Sequence, residues 1–223
     1  MQLRDASLFK QECLVDGKWI SSGGKESIPV TNPANNEQIG SVPKLGWRET
    51  AEAITAAERA WPAWKALTGT ERGRFLRRWH ALILENIDDL AMILTTEQGK
   101  PLAEAKGELQ SGLSYIEWYA EEAKRGYGEV IPSPWQGKQP LTVRQPVGVA
   151  AAITPWNFPM SMIARKAAPA LAAGCPIVIK PASMTPYSAL AMGELALRAG
   201  IPAGVLNVIT GDSSEIGGEM CRN

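Results

Sequence analysis

Histidine occurs once in these 223 residues and cysteine three times. Cys13, Cys175 and Cys221 are spaced for neither a metal knuckle nor a local disulfide framework, and the lone His80 brings no second imidazole. Unpaired cysteines of this kind fit a reducing, cytoplasmic setting. Excess charge is missing too. Lys plus Arg and Asp plus Glu both number 23, so no basic field calls for nucleic acid or an anionic membrane surface. No long apolar run exists: the least polar stretch, 167–179, contains Pro169, Gly174 and Pro176. It falls short of the roughly 20 residues that span a bilayer. The opening MQLRDASLFK has no apolar signal region. There is no internal repeat and no low-complexity segment. What is present is ordinary globular composition, 45% hydrophobic and 21% charged. A chain of this length removes about 70–75% of its unfolded surface from water on folding.

Two hairpins open the chain. Residues 13–20 (CLVDGKWI) turn at Asp16-Gly17, and 28–42 turn through Asn32-Pro33-Ala34-Asn35-Asn36. Three helices follow. The first spaces Ala53, Ile54, Ala57, Ala60, Trp61 and Trp64 on one face, with Pro62 expected to break or kink it. The second runs from Phe75 past Leu94 to a stop near Gly99. The third starts at Pro101 and turns Leu102, Ala105, Leu109, Leu113, Ile116 and Ala120 inward. Residues 126–145 change to prolines, glycines and a short alternating run, which reads as an extended arm.

The stretch 145–183 organises the rest. Residues 147–154 form an apolar, buried strand bounded by Pro146 and Pro155. The sequence Pro155-Trp156-Asn157-Phe158-Pro159 forces a turn, because its prolines forbid continuous helix or ladder pairing. Residues 160–173 are a helix capped by Gly174, and Pro-Ile-Val-Ile-Lys180 is a second strand. Strand, helix and strand at this spacing make a βαβ unit, whose ligands gather at the carboxyl ends of its strands. Thr154 and Asn157 lie at one such end, Lys180 and Ser183 at the next. Thr185 as N-cap and Pro186 as first helical residue then open a helix to Ala199. Residues 205–210 are a third parallel strand, and another helix follows Gly211. The fold class is α/β: amino-terminal helices with a partial doubly wound, Rossmann-like sheet. A sheet stopped in mid-crossover reads as the amino-terminal piece of a longer protein. No G-x-G-x-x-G follows the first strand, so the standard dinucleotide fingerprint is absent. A ribose-binding carboxylate is absent as well, since none appears after Lys180-Pro181-Ala182-Ser183 until Glu194; a cation there suits a 2′-phosphate.

The motifs ITPWNFP, PALAAGC, VIKPAS and AGIPAGVLNVITG, in this order, resemble the aldehyde dehydrogenase superfamily. MIARKAAPALAAGC and IEWYAEEAKRGYGEVIP bring the resemblance closest to its succinate-semialdehyde branch, over about the first half of the family's length. The resemblance implies three parts: helices and hairpins packing on the cofactor domain (1–125), an oligomerisation arm (126–145) and a partial dinucleotide-binding region (146–223). It makes Asn157 the oxyanion donor, where the bare sequence offers a turn asparagine capping a helix. Thr154, Pro155, Trp156, Asn157, Lys180, Pro181, Ala182 and Ser183 become cofactor contacts. Lys180 would reach the adenine ribose, and Ser183, where NAD-dependent members carry an acid, leaves room for the 2′-phosphate of NADP; NAD stays possible. Gly211 and Gly217 match the ends of the family's G-x-G-x-x-x-G loop, although a simple loop leading into a helix explains them nearly as well. Asp212 and Glu215 are expected to face solvent. Arg165 is the expected substrate-carboxylate ligand, because a guanidinium grips a carboxylate through two parallel hydrogen bonds; Lys166 is the alternative cation.

The family's nucleophilic cysteine and general-base glutamate belong to segments that this sequence does not contain. Cys175 is expected to be buried and inert and His80 to sit on a helix surface. The implied activity is NADP-dependent oxidation of succinate semialdehyde by the full-length protein, a homo-oligomer, with this chain inactive alone. Glutarate semialdehyde is the rival substrate, and a truncated, non-catalytic dinucleotide-binding module is the rival of another class.

Overall fold

The computed structural model describes residues 1–24 and 26–223. Its centre is a five-stranded mixed sheet. Three strands, β7 (Ala150–Ile153), β8 (Ile177–Lys180) and β9 (Leu206–Val208), run parallel, as expected from the βαβ pattern. The first hairpin, β1 (Cys13–Val15) and β2 (Lys18–Ile20), joins the same sheet antiparallel through Leu14 against Val208, giving the order β2-β1-β9-β8-β7. That addition was not legible locally. The second hairpin, β3 (Ser27–Thr31) and β4 (Gln38–Pro43), stays a separate ribbon with an irregularity at Val30/Thr31.

Four helices precede the parallel strands, not three. α1 (Trp47–Ala66) passes through Pro62 unbroken. Pro62 and Glu58, whose carbonyl loses its partner, are both exposed, so water serves that carbonyl. The expected second helix is divided into α2 (Gly69–Glu85) and α3 (Ile87–Gln98). Asn86 folds its side-chain Nδ2 back onto the Leu82 carbonyl at 2.8 Å, competing with the helical ladder. The apolar period continues across the break because both helices bury one face in the same core, which hides the division from sequence. α4 (Leu102–Glu122) buries Ala105, Leu109, Leu113, Ile116 and Ala120; Leu102, expected inward, is exposed in the first turn.

The arm is a hairpin of two short strands, β5 (Glu129–Val130) and β6 (Leu141–Thr142), both exposed. β7 is shorter than the expected 147–154 and is not fully buried. Ala151 and Ile153 share one face of this edge strand and are exposed there, while Ala152 on the opposite face is buried, and Val147 stands free ahead of the strand. α5 (Ser161–Ala173) ends on Gly174 at φ 92°, the expected left-handed cap. α6 (Tyr187–Arg198) crosses from β8 to β9, and α7 (Ser213–Arg222) follows β9. The core between sheet and helices is anchored by Trp64 and Trp79. Both are fully buried, and their indole N–H groups donate to the Leu171 and Met192 carbonyls at 3.1 and 3.0 Å. Burying such a ring removes 150–250 Å² from water, about 4–6 kcal/mol gross. No helix among the described residues is long and apolar enough to cross a membrane.

Candidate functional site

The tips of β7 and β8 are neighbours. Ile153 pairs with Lys180, and the Thr154 N–H donates to the Lys180 carbonyl at 3.1 Å. The turn after Thr154 leaves Trp156, Asn157 and Phe158 exposed. Asn157 is held through its carbonyl, which accepts from Lys100 Nζ at 3.0 Å, and its side-chain amide has no protein partner among the described residues. Across the gap, Trp156 and Ser183 line one cavity of about 300 Å³ with Met184, Thr185 and the β3 strand. A larger cavity, about 820 Å³, lies at the far end of α5 beneath 144–146, away from both tips.

Lys180 is 3% exposed, and its ammonium donates to the Pro181 carbonyl at 3.2 Å. Burial pulls its pKa below the ordinary value, and the Asp212 carboxylate opposes that shift. Asp212 is not simply solvent-facing. It caps α7, accepting from the Ser214 and Glu215 amides at 2.9 and 3.0 Å, which with Lys44 and Lys180 holds its pKa low. Glu215 is exposed, as expected, and also accepts from the Trp47 amide at 3.3 Å. Gly211 has φ +151°, and a Cβ there would collide with the Leu45 backbone, which brackets it by Leu45 N to Thr210 O (3.1 Å) and Asp212 N to Leu45 O (2.9 Å). Chain packing therefore requires this glycine whatever binds nearby. Gly217 faces Ile153 at ordinary contact distance.

Thr185 does not cap α6. Pro186 occupies the cap position, and the Thr185 hydroxyl is buried without a hydrogen-bond partner among the described residues. The cap is Glu97, reaching across from the end of α3. Its two oxygens accept from the Tyr187 and Ser188 amides at 2.7 and 2.8 Å, with the Ser188 hydroxyl also bonded to it. α5 is treated alike: Glu108 of α4 accepts from the Met160 and Ser161 amides at 2.8 and 3.1 Å. The two crossover helices, α5 and α6, and the helix after β9, α7, thus all begin against one of the protein's own carboxylates, so none offers its amino end to a phosphate as the G-x-G-x-x-G loop does. Sequence reading missed Glu97, Glu108 and Lys100. The available signal was an acid at buried-face spacing, Glu97 after Leu90 and Leu94, Glu108 between Ala105 and Gly112.

Arg165 is exposed on α5, eight residues past Asn157. Its guanidinium lies 5.2 Å from the Tyr115 ring centroid and meets no carboxylate among the described residues. Tyr115, also missed, props that cation by a cation–π contact. Cys175 is buried as expected. Cys13 is buried too, its thiol pushed up to about 11 by desolvation, and Cys221 is exposed.

One structural observation suits a nucleotide here: the hydroxyls of Thr154, at the β7 tip, and of Thr185, in the cavity with Trp156 and Ser183, are buried without partners among the described residues. Such orphaned groups are costly unless something polar meets them.

Parallel strands joined by helices, with the β7 and β8 tips side by side at Ile153 and Lys180, define an α/β protein of the doubly wound kind, in which ligands gather at such tips. The chain matches the Aldehyde dehydrogenase family over residues 19–223 and belongs to it. The glutarate-semialdehyde dehydrogenase of Pseudomonas putida is 60% identical over 223 residues, all of this chain and 46% of its own length. The NADP(+) succinate-semialdehyde dehydrogenase of Escherichia coli is 57% identical over the same span, again 46% of its length. Among solved structures, an NADP dependent enzyme of E. coli superposes with a TM-score of 0.98 at 57% identity, and succinate-semialdehyde dehydrogenase of Burkholderia pseudomallei with 0.98 at 54%. Both superpositions cover 100% of this chain and 46% of the other. The chain spans about half the length of the curated relatives it matches.

Proposed function

We propose that the complete protein oxidises a short aldehyde bearing a distal carboxylate, succinate semialdehyde, to the acid with NADP. The observation that carries this reading is Arg165, an exposed guanidinium steadied by Tyr115 and left without a carboxylate partner among the described residues. A cation kept open on the helix that starts just past Asn157 suits a substrate with an aldehyde at one end and a carboxylate at the other. Asn157 presents an amide without a partner among the described residues to the oxygen that gains charge as the carbonyl is attacked; losing such a donor typically costs about 3–4 kcal/mol of transition-state stabilisation. Thr154, Lys180 and Ser183, with Trp156 beside them, would hold the cofactor, which when bound supplies the hydride acceptor. The Lys180 charge and the short Ser183 side chain favour a 2′-phosphate. Glutarate semialdehyde is the second reading, supported by the 60% identical relative of that name.

In this reading the nucleophile is none of the three cysteines here. Cys13 and Cys175 are buried, Cys13 with a raised pKa, and Cys221 sits in the last turn of α7. The exposed Val130, Trp135, Leu141 and Val143 of the arm suit contact with another subunit. The test is steady-state kinetics of the complete reading-frame product on succinate semialdehyde, glutarate semialdehyde and butanal. Arg165→Ala should raise KM about 10- to 100-fold for the charged aldehydes, the worth of a charge-assisted hydrogen bond, and leave butanal unchanged. Equal losses on all three would remove the assignment.

A further inference from the structure

Lys100 sits between α3 and α4 with its side chain only 10% exposed, and it makes three contacts at once. Its ammonium pairs with Glu108 Oε2, donates to the Asn157 carbonyl at 3.0 Å and lies 4.3 Å from the Phe158 ring centroid. The other Glu108 oxygen holds the Met160 and Ser161 amides, the first N–H groups past the same turn. Capping α5 needs only the carboxylate. Burying an ammonium beside it is costly unless the geometry returns something. What the lysine adds is a grip on the turn itself: prolines fix φ at 155 and 159, and Phe158 is restricted by Pro159 and tied through its carbonyl to the Met162 amide at 2.9 Å, while rotation at Trp156 and Asn157 stays free without an outside anchor.

We propose that Lys100 and Glu108 are positioning residues that aim the Asn157 amide, holding the turn from beneath by its carbonyl and by the amides that follow it. This rests on the reading of Asn157 as oxyanion donor. A donor displaced by about 1 Å can lose on the order of 100-fold in rate, so a pinned carbonyl is a rate-determining contact even though the lysine touches no substrate.

The test is a double-mutant cycle in the complete reading-frame product. Lys100→Met should lower kcat about 10- to 100-fold with KM for the cofactor within about threefold. In the Asn157→Ala background it should lower kcat no further, since the lysine acts through the amide already removed. An unchanged kcat in the first experiment, or the same fold-loss in both backgrounds, overturns the inference. If the single variant fails to fold, Lys100→Met with Glu108→Gln removes both charges together, and the same criteria apply to it. Hydrogen exchange of peptides spanning 155–161 gives a readout free of catalysis. It should accelerate at least about tenfold in the variant while α6 peptides are unaffected. Unchanged exchange sinks the inference whether or not the product oxidises aldehydes, and accelerated exchange in a product without activity sinks only the functional reading.

Discussion

Replacing Glu97 by Gln should change the shape of the stability–pH curve, not merely its height. Glu97 is 2% exposed, and burial pushes its pKa up from 4.5 to about 7, against the pull of its bonds to Ser188 and Tyr187 and with the Glu108 charge adding to the rise. The folded protein therefore takes up a proton between those pH values. The stability tied to that proton is fully present below pH 4.5 and drains away as pH climbs to about 7. At about 1.4 kcal/mol per pH unit the difference is about 3 kcal/mol. Gln cannot titrate. Its single carbonyl serves only one of the two amides that now bond to separate oxygens, and its NH₂ faces the other, which costs about 1–3 kcal/mol. Glu97→Gln should therefore be less stable than wild type by about 2 kcal/mol at pH 4.5 and equal to it or slightly better at pH 8. Urea unfolding at pH 4.5, 6 and 8, with matched m-values, reads this directly. Two parallel curves, a constant difference within about 0.5 kcal/mol, would refute the reasoning.

Gly211→Ala places a methyl against the Leu45 backbone at a φ that L side chains rarely adopt; we expect a loss of at least about 2 kcal/mol in urea unfolding, and a loss under about 0.5 would contradict the packing described. Ser183→Glu brings a carboxylate to the β8 tip. NADP binding by the complete protein should weaken about 100-fold and NAD binding should hold or improve, since like charges brought together cost several kcal/mol; fluorescence titration of both dinucleotides checks it, and unchanged NADP affinity removes Ser183 from the cofactor reading.

The βαβ core was legible because its signals are local. Gly174 stops α5, prolines bracket the Asn157 turn, and the apolar runs at 147–154 and 177–180 contain β7 and β8, although the first run is longer than its strand. The carboxylates that hold these pieces were not legible, because Glu97 acts 90 and 91 residues away and Glu108 52 and 53. No spacing rule reaches that far. The same holds for β1, whose partner Val208 lies at the other end of the chain. Asn86 and Pro62 failed in opposite directions. A polar residue inside a continuous apolar period ended a helix, and a proline on a wet face did not.

The strand tips carry Asn157, Lys180 and Ser183, but what steadies them is built from the helices before them. Transplanting 146–223 into another α/β scaffold would move Asn157, Lys180 and Ser183 intact and leave behind Glu97, Lys100 and Glu108. The recipient would receive a crevice with the right letters and two unfastened corners. An engineer wishing to move these tips as they stand has to carry the α3–α4 junction with them.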